Sequence, residues 1–206
     1  MRKPLVIAAL VAVAAFSTPA GAKPFAYDDA KGDMPVGGVD IVSVSYATTG
    51  TTTTTKVRGR KVTTYTPTQL VVTLALADVP VEQPGLKYKV EANVEGCGTF
   101  ALAYAPGTVY AGISGPSTLF LGCGSSDPVA GEGQILFPKF SKDGNKLVWT
   151  LSLKTLPKNV RAGSVFTGHN ASVDVVEPIL GVQGLEETGG PALLDSATST
   201  ATWTLG

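Results

Sequence analysis

Phe140-Ser141-Lys142-Asp143-Gly144-Asn145-Lys146-Leu147-Val148-Trp149-Thr150-Leu151-Ser152-Leu153-Lys154 is the stretch that decides the fold class. Leu147, Trp149, Leu151 and Leu153 alternate with Val148, Thr150, Ser152 and Lys154, the period of two that a strand with one buried face requires. Trp149 therefore belongs to the core. Upstream, Asp-Gly and Gly-Asn supply the positive φ of a tight turn, so Lys142–Asn145 predicts a hairpin joining this strand to the one ending near Phe140.

The same period recurs on both sides. Tyr88, Val90, Ala92 and Val94 alternate with Lys87, Lys89, Glu91 and Asn93, a strand with one wet face. Leu70, Val72, Leu74 and Leu76 alternate with Val71, Thr73 and Ala75; both sets are mostly apolar, which predicts a central strand. Asp40–Tyr46, Thr99–Tyr104, Ser117–Leu121, Gln134–Phe137, Ser172–Val176 and Thr200–Leu205 complete roughly nine strands, while no window of a dozen residues shows a helical stripe. Pro67, Pro80, Pro84, Pro106, Pro116, Pro138 and Pro157 fall between or at the ends of these runs, where a missing N–H costs a sheet least. The expected fold is all-β, an antiparallel β-sandwich of jelly-roll or immunoglobulin-like type. Two segments interrupt it. Thr48–Thr66, with five consecutive threonines and the cluster Lys56-Val57-Arg58-Gly59-Arg60-Lys61, reads as a long hairpin whose tip leaves the body, and Gly181–Ser196 reads as a surface loop.

The chain opens with Arg2 and Lys3, an apolar run from Leu5 to Phe16, and Ala20-Gly21-Ala22. That order is the pattern of a secretory signal peptide cut after Ala22, and the run is too short for a membrane span. Residues 23–206 are then one domain, secreted and with no membrane insertion after cleavage. Removal of the signal takes two of the 16 basic residues and none of the 16 acidic ones, which leaves a slightly acidic chain. Such a chain lacks the electrostatic footprint of a nucleic-acid binder. In an oxidising compartment Cys97 and Cys123 are expected to form one disulfide, closing a loop of roughly 27 residues and adding about 3–4 kcal/mol on the chain-entropy model.

Candidate chemistry is sparse. Asp28, Asp29, Asp33 and Asp40 lie among Gly32, Gly37 and Gly38, a set of carboxylates on a flexible loop that suits an extracellular structural Ca²⁺. The spacing is not that of an EF-hand, and aspartates also cap turns before a first strand. Tyr104 and Tyr110, around Pro106-Gly107, and Trp203, between Thr202 and Thr204, are the candidate contact residues for a glycan or protein. No catalytic residue is assigned: His169 lies in Thr-Gly-His-Asn, which forms no hydrolase signature, and is read as a turn residue.

Tyr27-Asp28-Asp29-Ala30-Lys31-Gly32-Asp33, then Val39-Asp40-Ile41-Val42-Ser43-Val44-Ser45, and the strand ending Leu74-Ala75-Leu76-Ala77-Asp78-Val79-Pro80 resemble secreted bacterial proteins. In these a D-x-x-G-D … D-I-x-x-V start leads into a sandwich similar to family 9 carbohydrate-binding modules and DOMON domains. The resemblance covers about residues 25–160 and implies a jelly-roll or immunoglobulin-like sandwich that binds sugar, haem or no known ligand. The chain departs from the pattern where ligands would be held. It offers no obvious aromatic platform, and DOMON haem ligands are Met and His, whereas this chain has Met1, lost with the signal, Met34 and His169. The expectation is a secreted non-catalytic module that contacts a glycan, a protein or another cell-envelope component. A purely structural accessory domain without a small ligand is the alternative, and a hydrolase of unrecognised type is third.

Overall fold

The computed structural model describes residues 23–29, 39–78, 86–106, 109–110, 113–114, 118–121, 134–175 and 192–206, with backbone alone between 107 and 135 and at Ala192. The predicted signal peptide, Asp33, Cys123 and most of the predicted Gly181–Ser196 loop lie outside these residues. Fourteen strands run through them: β1 (Phe25–Asp28), β2 (Ile41–Val57), β3 (Arg60–Leu76), β4 (Leu86–Val94), β5 (Gly98–Tyr104), β6 (Val109–Tyr110), β7 (Ile113–Ser114), β8 (Thr118–Leu121), β9 (Gln134–Leu136), β10 (Lys139–Asp143), β11 (Lys146–Ser152), β12 (Val165–Val175), β13 (Ala192–Ser199) and β14 (Trp203–Thr204). All pairings are antiparallel. The first sheet has the order β1-β2-β3-β11-β10; the second has β13-β12-β4-β5-β8-β9, with β14 also on β12; β6 and β7 form a small separate ribbon.

β3 is the middle strand of its sheet, as its two apolar faces predict. Register lines up rows of buried side chains across it: Tyr46, Val72 and Trp149 in one, Val44, Leu74 and Leu147 in the next. The second sheet answers with Val173, Tyr88 and Tyr104, and with Ala171, Val90 and Leu102. The two inner faces meet in one hydrophobic cluster. Asp195, buried on β13, crosses between the sheets: its Oδ2 accepts the Ile41 N–H of β2 at 2.6 Å, and its Oδ1 accepts the N–H of Ser196. The predicted hairpin forms between β10 and β11, with Gly144 at φ 58°.

Two boundaries differ from expectation. β13 occupies residues read as loop, because Asp195 and Ala197 point inward between Ser, Thr and Leu, a weak alternation that becomes a strand only by pairing with β12. β12 starts at Val165, ahead of the predicted Ser172, and absorbs Gly168 (φ 57°) at an irregularity in its register against β4.

β2 and β3 are both 17 residues long, far more than their neighbours use. β1 covers β2 only from Ser43 to Tyr46, and β11 covers β3 only from Gln69 to Ala75. Beyond Gly50 and Pro67 the two strands therefore continue as a two-stranded ribbon. Its root is a register shift at Thr49/Gly50, where a Cβ on Gly50 would collide with the Thr66 carbonyl. Its tip is the two-residue turn Arg58-Gly59, both at positive φ (51° and 80°), as a tight hairpin matched to strand twist demands. At 3.4 Å per residue, Thr51 to Val57 projects about 20 Å. The predicted protruding hairpin is thus present.

If the ribbon takes no part in the core, substitutions at the two ends of β3 and β2 should differ sharply. Leu74→Ala, at a fully buried position, is expected to lower the unfolding free energy by about 2–5 kcal/mol in urea titration. Thr53→Ala, on the ribbon, should change it by less than about 0.5 kcal/mol.

Candidate functional site

Of the residues singled out for contact, Tyr104 and Trp203 are buried. Tyr104 ends β5, where alternation with Phe100 and Leu102 turns it inward; it is 3% exposed, with its ring stacked on Phe140 at 4.6 Å and on Tyr88 at 5.9 Å. Lys142 covers it, with Nζ 3.5 Å from the hydroxyl. Trp203 is 5% exposed and packs edge-on against Phe166, while its indole N–H donates to the Lys23 carbonyl at 3.0 Å. Neither ring is available to stack on a sugar, which corrects the expectation that they were open. The side chain of Tyr110 lies outside the described residues.

The aspartates are placed by backbone pairing. Asp28 is exposed at the end of β1 opposite Ser43, Asp29 donates its N–H to the Val42 carbonyl, and the Asp40 carbonyl accepts from Ala77. Among the described residues no group of three or more His, Cys, Asp or Glu side chains comes together. Cys97 is buried beside the β4–β5 turn, and no described cysteine is a free thiol.

His169, read as a turn residue, is instead a strand residue of β12 with 1% exposure. It sits at the seam between the sheets in a knot of rings: Phe25 at 4.6 Å, Tyr46 at 5.0 Å and Tyr27 at 5.9 Å, with Phe166 and Trp203 behind Tyr46. Neither ring nitrogen of His169 reaches hydrogen-bond geometry, nor do the hydroxyls of Tyr27 and Tyr46. Desolvation lowers the imidazole's pKa, against the pull of the Phe166 and Ala201 carbonyls. Desolvation also raises the Tyr27 phenol, helped by the Asp29 carboxylate, and raises Tyr46. All three groups are therefore held neutral, and the knot is a packing element closed to solvent. A base in this position would have no access to a substrate.

What the fold does expose is the ribbon. Every residue from Thr49 to Thr64 is exposed, and Tyr65 is half-buried, its hydroxyl donating to Thr48 Oγ1 at 3.5 Å. Register divides its side chains between two faces. One face carries Thr51, Thr53, Thr55, Val57, Arg60, Val62, Thr64 and Thr66. The other, continuous with the inner face of the sheet, carries Thr52, Thr54, Lys56, Lys61, Thr63 and Tyr65. Thr54 and Thr63 lie directly opposite and share a 3.2 Å hydrogen bond, and Lys56 lies directly opposite Lys61. No acidic residue occurs from Ile41 to Ala77, and among the described residues none of the four tip cations meets a carboxylate. Val57 and Val62 are 52% and 44% exposed.

Comparison with known proteins adds no relative: no family model, curated protein or solved structure matches the chain.

The buried imidazole sets a pH dependence. His169 is neutral in the fold and takes up its proton more readily when unfolded, so its contribution is complete above the ordinary imidazole range near about 6.5 and is lost as pH falls through it. Urea midpoints measured at pH 7.5 and 5.5 should fall for the wild type. His169→Phe, which keeps a ring in the knot, should show a smaller fall.

Proposed function

We propose that the protein is a secreted, non-catalytic β-sandwich that acts as a binding module, with the β2–β3 ribbon as its contact arm. The observation that carries this reading is the overrun of β2 and β3 beyond the sheet, exposed on both faces and free of acidic residues. A chain under selection for the sheet alone would turn near Gly50, since every further residue costs ordering entropy with no core contact in return. The export pattern at residues 1–22 supports an arm that works outside the cell, and the arm is a basic element on a chain that is slightly acidic without those residues. The two packed sheets supply the rigid base from which it projects.

Shortening the ribbon tests this. A variant that joins Gly50 to Pro67 through Asn-Gly is expected to melt within a few degrees of wild type, because the core is untouched. On an array of neutral and acidic glycans the wild-type exported chain should give signals that the shortened variant loses. Equal signals from both, or none from either, would remove the arm as a contact element.

The same reading carries a Cys97–Cys123 bridge. Cys97 is buried and is not a free thiol, and an exported chain meets an oxidising environment. Alkylation of the unfolded exported chain without reductant should leave its intact mass unchanged. Two added alkyl groups would refute the bridge.

A further inference from the structure

Resting on the arm as contact element, we infer that its inner face, Thr52, Thr54, Lys56, Lys61, Thr63 and Tyr65, binds a linear hydroxylated polyanion: a sugar or polyol chain that bears hydroxyls and carries repeated carboxylate or phosphate groups. Lys56 and Lys61 are a cross-strand pair on this face, which places their Cβ atoms about 4.5–5.5 Å apart. Like charges so placed repel, and among the described residues no carboxylate relieves them. An anionic group held between the two ammonium groups turns that repulsion into a clamp. Behind the clamp, toward the root, Thr52, Thr54 and Thr63 offer a row of hydroxyls that both donate and accept, and the Tyr65 ring lies half-exposed at its end. From Lys56 to Thr52 the row runs about 13 Å, so a chain following the strand presents one charge to the tip and its hydroxyls to the threonines.

The geometry disfavours three other anionic or extended partners. A peptide added as a strand would pair with the open backbone edges of β2 or β3, in the plane of the ribbon, and would leave lysines that stand perpendicular to that plane unused. A lipid surface is met best when apolar and basic side chains share a face; that combination, Val57 and Val62 with Arg60, stands on the opposite face, and the inner face carries Lys56 and Lys61 without an aliphatic neighbour. A nucleic acid demands a basic stripe larger than four residues on a chain that is otherwise acidic.

The test is titration calorimetry at low salt, with the exported chain against polygalacturonate and against poly(glycerol phosphate), alongside neutral dextran, hydroxyl-free polyacrylate, anionic phospholipid vesicles and duplex DNA. Binding to at least one of the first two is expected, with polygalacturonate or poly(glycerol phosphate) telling which anion is preferred. Lys56→Gln with Lys61→Gln should weaken it at least tenfold, Thr52→Ala with Thr54→Ala and Thr63→Ala should also weaken it, and dextran should not bind. Both variants are confined to exposed positions, and unchanged melting confirms that they are folded. Unchanged affinity in the lysine variant, equal binding of polyacrylate, stronger binding of vesicles or DNA, or no binding to either acidic polymer would overturn the inference. If the lysine variant binds as wild type while the shortened arm does not, this face is wrong and the arm reading stands. If the shortened arm binds equally, the arm reading has failed.

Discussion

Backbone N–H and C=O groups must be paired wherever water is excluded, and β3 is where that requirement organises the molecule. Its inner half, Gln69 to Leu76, is bonded to β2 on one side and β11 on the other, which lets Leu70, Val72, Leu74 and Leu76 sit at or near zero exposure. Those four side chains then fix which residues of the neighbours face inward. Tyr46 and Trp149 flank Val72 because register leaves no other choice: a slip of one residue would send every inward side chain to solvent. The second sheet packs on the surface so formed, and Asp195 on the Ile41 amide pins the two at one corner. The outer half of the same strand is paired on one side alone. It therefore lies where water can satisfy its open edge, outside the body.

The inner half was legible because its signal is local. Period-two alternation around Trp149, Val72 and Val90 needs no knowledge of partners, and Asp143-Gly144 names its own turn. The arm was legible for a similar reason, since a run of β-branched threonines ending in Arg-Gly can hardly be anything but a hairpin. The two misplaced aromatics are more instructive. Thr99–Tyr104 was readable as a strand, and following its alternation from Phe100 through Leu102 would have carried Tyr104 inward; the nearby Pro106-Gly107 outweighed it. Trp203 between two threonines has the pattern of a half-buried strand, with the ring on the buried half.

His169 and β13 were hidden for a different reason. The rings around His169 come from Phe25, Tyr27 and Tyr46, well over a hundred residues away, and nothing in Thr-Gly-His-Asn announces them. β13 has no apolar stripe of its own and becomes a strand by accepting the register of β12. Both are products of tertiary contact, in which long-range pairing overrides weak local preference.

The tip of the arm breaks three local rules within seven residues. Arg58 holds φ 51° where Asn or Gly is favoured, Lys56 faces Lys61, and two valines stand in solvent. The left-handed Arg58 costs roughly 1–2 kcal/mol and the like-charge pair about 0.2–1 kcal/mol. In the core such choices would erode a margin of stability that is itself small. On the ribbon they cannot, because a fraying tip opens without disturbing β1, β11 or any buried side chain, and its free energy is separate from that of the sheets. The architecture thus decouples two demands on one pair of strands: the inner halves hold the fold with apolar alternation, and the outer halves are left to carry charge and hydroxyls. Local conflicts of backbone and charge gathered at one exposed point, outside the buried rows of apolar side chains, are what the proposed contact surface would impose on a sequence.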